Sequence, residues 1–388
     1  MFYLSYQHIH SPNNINSFNK EIIMKLECSS IKIKTSVLKV DKITGKNLTL
    51  PVLDSILLTA KGNTLKLRAT NLSLGVEVEV PAKISKEGSV LIKGDVLSNI
   101  FNNLYQDEII YLESINNNLS LKTKDINILL KCQSFEDFPT TPNVSGNNFK
   151  LSTKNFINGI RSVCYSSSVS DIKPEISSIF IYPENNDLVF VATDSFRLAE
   201  KRIKTKQIHE FSGILIPLKN ISEIIKIFSD LDEDLIVCLN KNLISLSTGN
   251  IYLTSRVIDG NFPDYKQIIP KDPKTEVVVL KQDLLNALKI ANVFSDKQNQ
   301  INFKIKNKDK FFEINSKNSD VGENKTKITA AISGEDIEIS FNYKYFLDCF
   351  QAINQDSLSL SFNQSNKPLI IKGIGDNTFI YLIMPMNK

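Results

Sequence analysis

The groups with which this chain could do chemistry are few in kind. Its 388 residues include three histidines, His8, His10 and His209, and five cysteines, Cys28, Cys132, Cys164, Cys238 and Cys349. A Ser-His-Asp arrangement needs a histidine to carry the proton, and a zinc site needs Cys or His in close pairs. Two of the histidines fall in the first ten residues, and the cysteines are scattered with no C-x-x-C pair. Neither chemistry is predicted, and neither is a disulfide framework. No G-x-x-x-x-G-K-[ST] or G-x-G-x-x-G phosphate cradle occurs. The 42 acidic residues leave one catalytic class open, a carboxylate cluster holding Mg²⁺ as in a nuclease. Asp194 is the most motif-like acid, and it stands alone in its turn. No catalytic residue, metal or cofactor is therefore predicted.

Asp194 lies in VATDSFRLAE (191–200), which opens as a buried strand and breaks at Thr193-Asp194-Ser195. It then sets Arg197 between Phe196 and Leu198. An arginine between two large apolar residues after a polar turn suits either a surface ion pair or a binding edge.

Length alone suggests two or three domains. The chain is 42% apolar and 23% charged, ordinary values for a protein with sizeable cores. A net charge of +4 argues against a protein that coats nucleic acid, while permitting a local basic surface. No run of about 18 apolar residues predicts a membrane span. Scattered, reduced thiols fit a cytoplasmic location. Residues 1–23 are polar and Asn-rich, lack the apolar core of a secretory signal, and are expected to be a disordered extension.

The elements that must position these residues repeat. NTLKLRATNLSLGVEVEV (63–80), NDLVFVATDSFRLAEKRI (186–203) and DKFFEINSKNSDVGENKTKI (309–328) share one pattern: an alternating apolar run, a polar turn and a second strand. Thr70, Thr193 and Ser316 are equivalent and stand 123 residues apart in each step. A strand followed by an amphipathic helix recurs at 89–104, 213–228 and 337–353; Ile221, Ile224, Ile225 and Phe228 form one helical stripe in the middle copy. Helix starts with Ser, Thr or Asp near them are read at 35–44, 153–167 and 281–295. Pro-rich boundaries, each with Phe-Pro, lie at 135–148 and 260–275. The expectation is an α+β chain of three domains, 24–146, 147–272 and 273–388, each with two helices against antiparallel strands. Three rigid copies suggest an arc, and an arc with complementary ends closes into a ring by dimerising.

Four stretches in order carry a resemblance. VATDSFRLAE is similar to V-A-T-D-G-H-R-L-A, and VIDGNFPDYKQIIP (257–270) to V-D-G-x-F-P-D-Y-x-x-V-I-P. TLPVLDSILL (49–58) is similar to T-L-P-I-L-x-N-x-L, and the terminal YLIMPMNK to Y-V-V-M-P-M-R-L. Over about residues 24–388 the chain resembles the β sliding clamp family, processivity factors of bacterial replicative DNA polymerase III. It departs at Ser195-Phe196, where Gly-His is usual, at Asn387-Lys388, where Arg-Leu is common, and at Lys46-Asn47, where one basic residue is often found.

The resemblance implies a six-domain ring of two head-to-tail protomers with helices lining the hole. It also implies a groove between the second and third domains for a peptide of the type Q-x-x-L/M-x-F, carried by the replicative polymerase and the clamp loader. The matching positions are Ile176, Thr193, Arg197, Leu198, Pro263, Ile268, Leu382, Met384, Pro385 and Met386. Taken alone, Met384 to Met386 read as the end of an edge strand. Double-stranded DNA would be held without base readout. Lys46, Lys173, Lys219 and Lys266 are singled out by resemblance, beside Lys34, Lys39, Lys42, Lys154, Arg161, Lys226, Lys281 and Lys289 on or near the helices. The homodimer interface would set Ile128 and Leu130 against Val293 and Phe294, although Ile128 and Leu130 also read as core positions. Two rivals stand beside a non-enzymatic ring: the carboxylate nuclease, and a peptide-binding scaffold that never meets DNA.

Overall fold

A computed structural model describes residues 22–45, 49–104, 109–205 and 211–386, with side chains from Met24 onward. Lys46, Asn47, Asn387, Lys388 and most of the expected extension lie outside these residues. The first strand, Ile22–Ser29, begins inside the stretch read as an extension.

Six α-helices are described: α1 (Ser30–Val40), α2 (Gly94–Asn103), α3 (Thr153–Val163), α4 (Leu218–Phe228), α5 (Lys281–Val293) and α6 (Tyr343–Cys349). They fall two to a unit, as the repeats predict. In α4 the stripe is wider than expected, with Ile227 buried beside Ile221, Ile224 and Phe228. The start read at Thr35 is wrong. α1 opens at Ser30, so that Ile33, Val37 and Val40 all reach the core. Ser30 lies 123 residues before Thr153, the first residue of α3, so the repeat period marks the start better than the polar residues do. Capping was the weaker cue because only α6 is capped by a side chain among these helices, with Asn342 accepting from the Lys344 amide.

The strands join the three units into one body. A twelve-stranded sheet runs from the edge strand Asn127–Lys131 to Asn147–Ser152. Its hinge is the long strand Leu74–Lys86, which pairs with Ile22–Ser29 of its own unit and with Ile251–Arg256 of the second. A nine-stranded sheet joins the second and third units where Arg197–Lys204 pairs with Phe379–Ile383, Leu198 opposite Leu382. A four-stranded sheet of the third unit ends on Gly322–Ile328.

Alternation along each strand gives the sheets two faces. On the middle sheet Leu188, Phe190, Ala192 and Ala199 meet the helices, whereas Val189, Val191 and Leu198 form a second cluster with Tyr265, Ile370 and Leu382. α3 lies close to that sheet. A Cβ added at Gly159 would stand 2.5 Å from the Phe190 ring.

Candidate partner groove and basic helix face

The turn after Thr193 is held by its own side chains. The Thr193 hydroxyl donates to the Arg197 carbonyl at 2.7 Å and accepts from the Ser195 amide at 3.1 Å. Asp194 Oδ1 accepts from the Phe196 and Arg197 amides, both at 2.9 Å. The first unit builds the same turn. Thr70 donates to the Leu74 carbonyl at 2.8 Å and accepts from Leu72 at 3.1 Å, and Asn71 Oδ1 accepts from Ser73 and Leu74. The third unit does not repeat it: the strand runs on past Ser316 to Asn318, and the Ser316 hydroxyl has no partner among the described residues.

The second turn keeps only the threonine of the first, and two of its four changes build an ion pair. Asp stands in place of Asn71, and Arg in place of Leu74. Asp194 Oδ2 therefore accepts from Arg197 Nε at 2.9 Å. Arg197 also donates from its terminal nitrogen to Asp348 of α6, and its guanidinium lies 4.7 Å from the centre of the Tyr345 ring. The arginine ties the second unit to the third. Burial works against its charge, but Tyr381 and the aspartates outweigh this and hold its pKa above the ordinary arginine value. The resemblance placed Arg197 among the groove positions, and two carboxylates of this chain hold its guanidinium.

The wall predicted around it comes together in part. Leu198 and Leu382 are paired, each 3% exposed, and Thr193 lies opposite Leu198. Sequence reasoning missed what covers them. Tyr265 joins both in one buried cluster, with Phe262 and Ile269 packed against it, and the available cue was the density of aromatics around Phe-Pro. Pro263 and Ile268 flank these residues and are exposed. Tyr265 is anchored by hydrogen bonds from its hydroxyl to Glu200 and with the Tyr182 hydroxyl, and burial with Glu200 pushes its pKa up. Ile176 is half-buried; its loop borders this segment, since a Cβ at Gly260 would stand 3.1 Å from Glu175. Met384 follows the last strand and donates its amide to the Phe196 carbonyl at 2.8 Å, while Met386 donates to Ser340. Pro385 lies half-buried between them. Phe196 stands on the rim, 62% exposed.

The lysines fall into separate groups. Lys34, Lys39, Lys42 and Lys226 line one depression of about 350 Å³ between α1 and α4, with Asp230 among them. Burial lowers the Lys39 pKa, opposed by Asp230 and Glu233. Lys154 and Arg161 line a second depression of about 540 Å³ with Asn354 of the third unit. Lys219 and Lys289 are exposed on helices, and Lys173 on the loop before Ile176. Lys281 donates to the Ile353 carbonyl instead. Lys266 is apart from all of these. It follows Tyr265 on the sheet face away from the helices, where it pairs with Glu184. That ion pair holds the Glu184 carboxyl below its usual range.

At the sheet ends, the edge strand Asn127–Lys131 turns Leu130 into the core and leaves Ile128 packed against it. Leu129 between them is 67% exposed. Val293 is 62% exposed, and Phe294 is half-buried beneath Gly322 of the other free edge.

Three family models match successive parts of the chain: the N-terminal domain of the DNA polymerase III beta subunit over residues 24–142, its central domain over 150–264 and its C-terminal domain over 266–387. The beta sliding clamp of Synechococcus elongatus is 28% identical over 94% of this chain and 99% of its own length. The beta sliding clamp of Staphylococcus epidermidis is 26% identical over 89% and 94%. The crystal structure of the DNA polymerase III beta subunit from Thermotoga maritima superposes with a TM-score of 0.89 at 27% identity, covering 94% of this chain and 100% of that one. The Bacillus subtilis DNA polymerase sliding clamp gives a TM-score of 0.89 at 25% identity over the same shares.

Proposed function

The chain belongs to the DNA polymerase III beta subunit family, the β sliding clamps, and from that premise we propose that two copies close head to tail into a ring around duplex DNA. Its function is processivity: the ring tethers the replicative polymerase to the template. Topological linkage keeps the local concentration of polymerase high, so contacts that are individually weak suffice. The observation that carries ring closure is two of the free sheet edges, which lie in the first and third units. The twelve-stranded sheet stops at Asn127–Lys131 and the four-stranded sheet at Gly322–Ile328, one at each end of the chain of units. A free edge strand invites another strand. Leu129 and Val293 give these edges apolar surface, with Ile128, Leu130 and Phe294 behind them.

The helix-face lysines meet phosphates and read no bases, so the ring slides. Lys34, Lys39, Lys42, Lys226, Lys154 and Arg161 support this by sharing two depressions on the helix side. The groove at Leu198, Leu382 and Met384 takes the short apolar peptide of polymerase and loader. The chain carries no catalysis of its own. Loading onto nicked circular DNA tests the whole reading. Protein retained on the circle and released on linearisation supports a ring; equal retention on both forms rejects it. Cleavage of the DNA that stops on chelation would favour the nuclease.

A further inference from the structure

We propose that Asp348 is a positioning residue of the partner groove: it holds Arg197 charge-compensated, so that the groove does not use this arginine to receive acidic groups. The inference rests on the peptide-groove reading above. A lone arginine beside an apolar groove would be a ready receptor for a carboxylate, since its planar fork matches one. Here two of its three nitrogens already bond carboxylates of this chain. Nε is bonded to Asp194 Oδ2 at 2.9 Å, and the terminal nitrogen to Asp348. One arginine against two aspartates leaves the cluster with one net negative charge.

The two carboxylates differ in kind. Asp194 is committed to its turn, with Oδ1 accepting two backbone amides. Asp348 comes from a different unit, and its side chain is 41% exposed against 13% for Arg197. It is the member that an incoming peptide can meet. It is also the member that decides where the guanidinium points, drawing it over Tyr345 and away from solvent. The first unit serves as the internal comparison. Its copy of the turn has Asn71 and Leu74 at these places, and Leu74 is simply buried. The arginine and its carboxylates occur together in the second turn, where Met384 bonds to Phe196 one residue away.

The test uses the full chain and two fluorescein-labelled peptides of the Q-x-x-L-x-F type, one with lysine and one with glutamate at the variable positions. Wild type should prefer the lysine peptide. Asp348→Asn keeps the shape of the side chain but frees one arm of Arg197. It should raise affinity for the glutamate peptide by about threefold or more at low salt, a modest charge effect at a partly exposed site. In the double variant Asp348→Asn/Arg197→Gln, most of that gain should vanish, because the freed arginine supplies it. An unchanged glutamate affinity in Asp348→Asn overturns the inference. So does a gain of equal size without Arg197, which would make Asp348 a mere surface charge. Loss of binding to both peptides by wild type, or unaltered binding after truncation beyond Ile383, would remove the groove itself and this inference with it.

Discussion

Leu72 and Ser195 stand 123 residues apart and share one left-handed backbone, with φ of 71° and 76°. Each is the third residue of a turn whose threonine hydroxyl and Asx carboxyl or amide oxygen take up the backbone groups. The family pattern carries glycine where Ser195 stands, and the positive φ gives the reason, because a side chain costs about 1 kcal/mol or more in this conformation. Ser195→Val should destabilise the chain by about 1–2 kcal/mol, since a β-branched residue tolerates this region worst. Ser195→Gly should be neutral or slightly stabilising. Urea unfolding of both variants checks this, and a Val variant as stable as wild type would contradict it.

α3 should tolerate no side chain at Gly159. With Phe190 2.5 Å from the place of a Cβ, Gly159→Ala must push helix from sheet. Helix propensity favours alanine by up to about 1 kcal/mol, but overpacking of a tight core costs about 1–3 kcal/mol. A lowered melting temperature is expected, and recovery in Gly159→Ala/Phe190→Leu would identify the ring as the obstacle.

The repeat, the two helices per unit and the Arg197 turn were legible in the sequence because each depends on local pattern. A period of 123 residues locates Thr70 and Thr193 without knowledge of the fold. What stayed illegible depends on distant partners. Arg197 could be placed at an edge, but Asp348 lies 151 residues further on, and no spacing rule connects them. Lys266 reads as one more exposed lysine until the packing of Tyr265 shows which face of the sheet it shares. Ile128 and Leu130 were named for the interface by resemblance, which says nothing of the pleat that turns Leu130 inward and leaves Leu129 between them exposed.

That pleat gives a discriminating test of the ring. Leu129→Glu and Val293→Glu should each yield a folded monomer in light scattering at micromolar concentration, where wild type should be a dimer. Leu130→Glu should instead destabilise the first unit by several kcal/mol, because it buries an unpaired charge. A dimer that persists in both surface variants would place the interface elsewhere.

Acid should loosen the segment that roofs the groove floor. Lys266, and after it Arg202, depress the Glu184 pKa below the usual 4.5. A depressed carboxylate contributes stability above its unfolded pKa and loses it as pH falls through the folded value. Between pH 7 and pH 3, wild type should therefore lose more stability than Glu184→Gln. Equal acid sensitivity in urea titrations would show that this ion pair is too well solvated to matter.

Peptide binding should depend on the last described residues more than on any charge. Ending the chain after Ile383 removes Met384, whose amide bonds to Phe196, and Met386, whose amide bonds to Ser340. It spares Leu198 paired with Leu382, and the two edge strands assigned to the ring interface. Truncated protein should stay dimeric and lose most affinity for a labelled Q-x-x-L-x-F peptide in fluorescence polarisation. Each deeply buried apolar anchor of such a peptide is worth about 1.5–3 kcal/mol, so loss of one anchor alone would lower affinity at least tenfold. Phe196 adds a signature specific to this chain. It cannot titrate, so affinity should stay flat between about pH 5 and 8 on its account, whereas Phe196→His should introduce a step near the histidine range. Equal peptide affinity in truncated and full-length protein would mean that Met384 to Met386 form no part of the site.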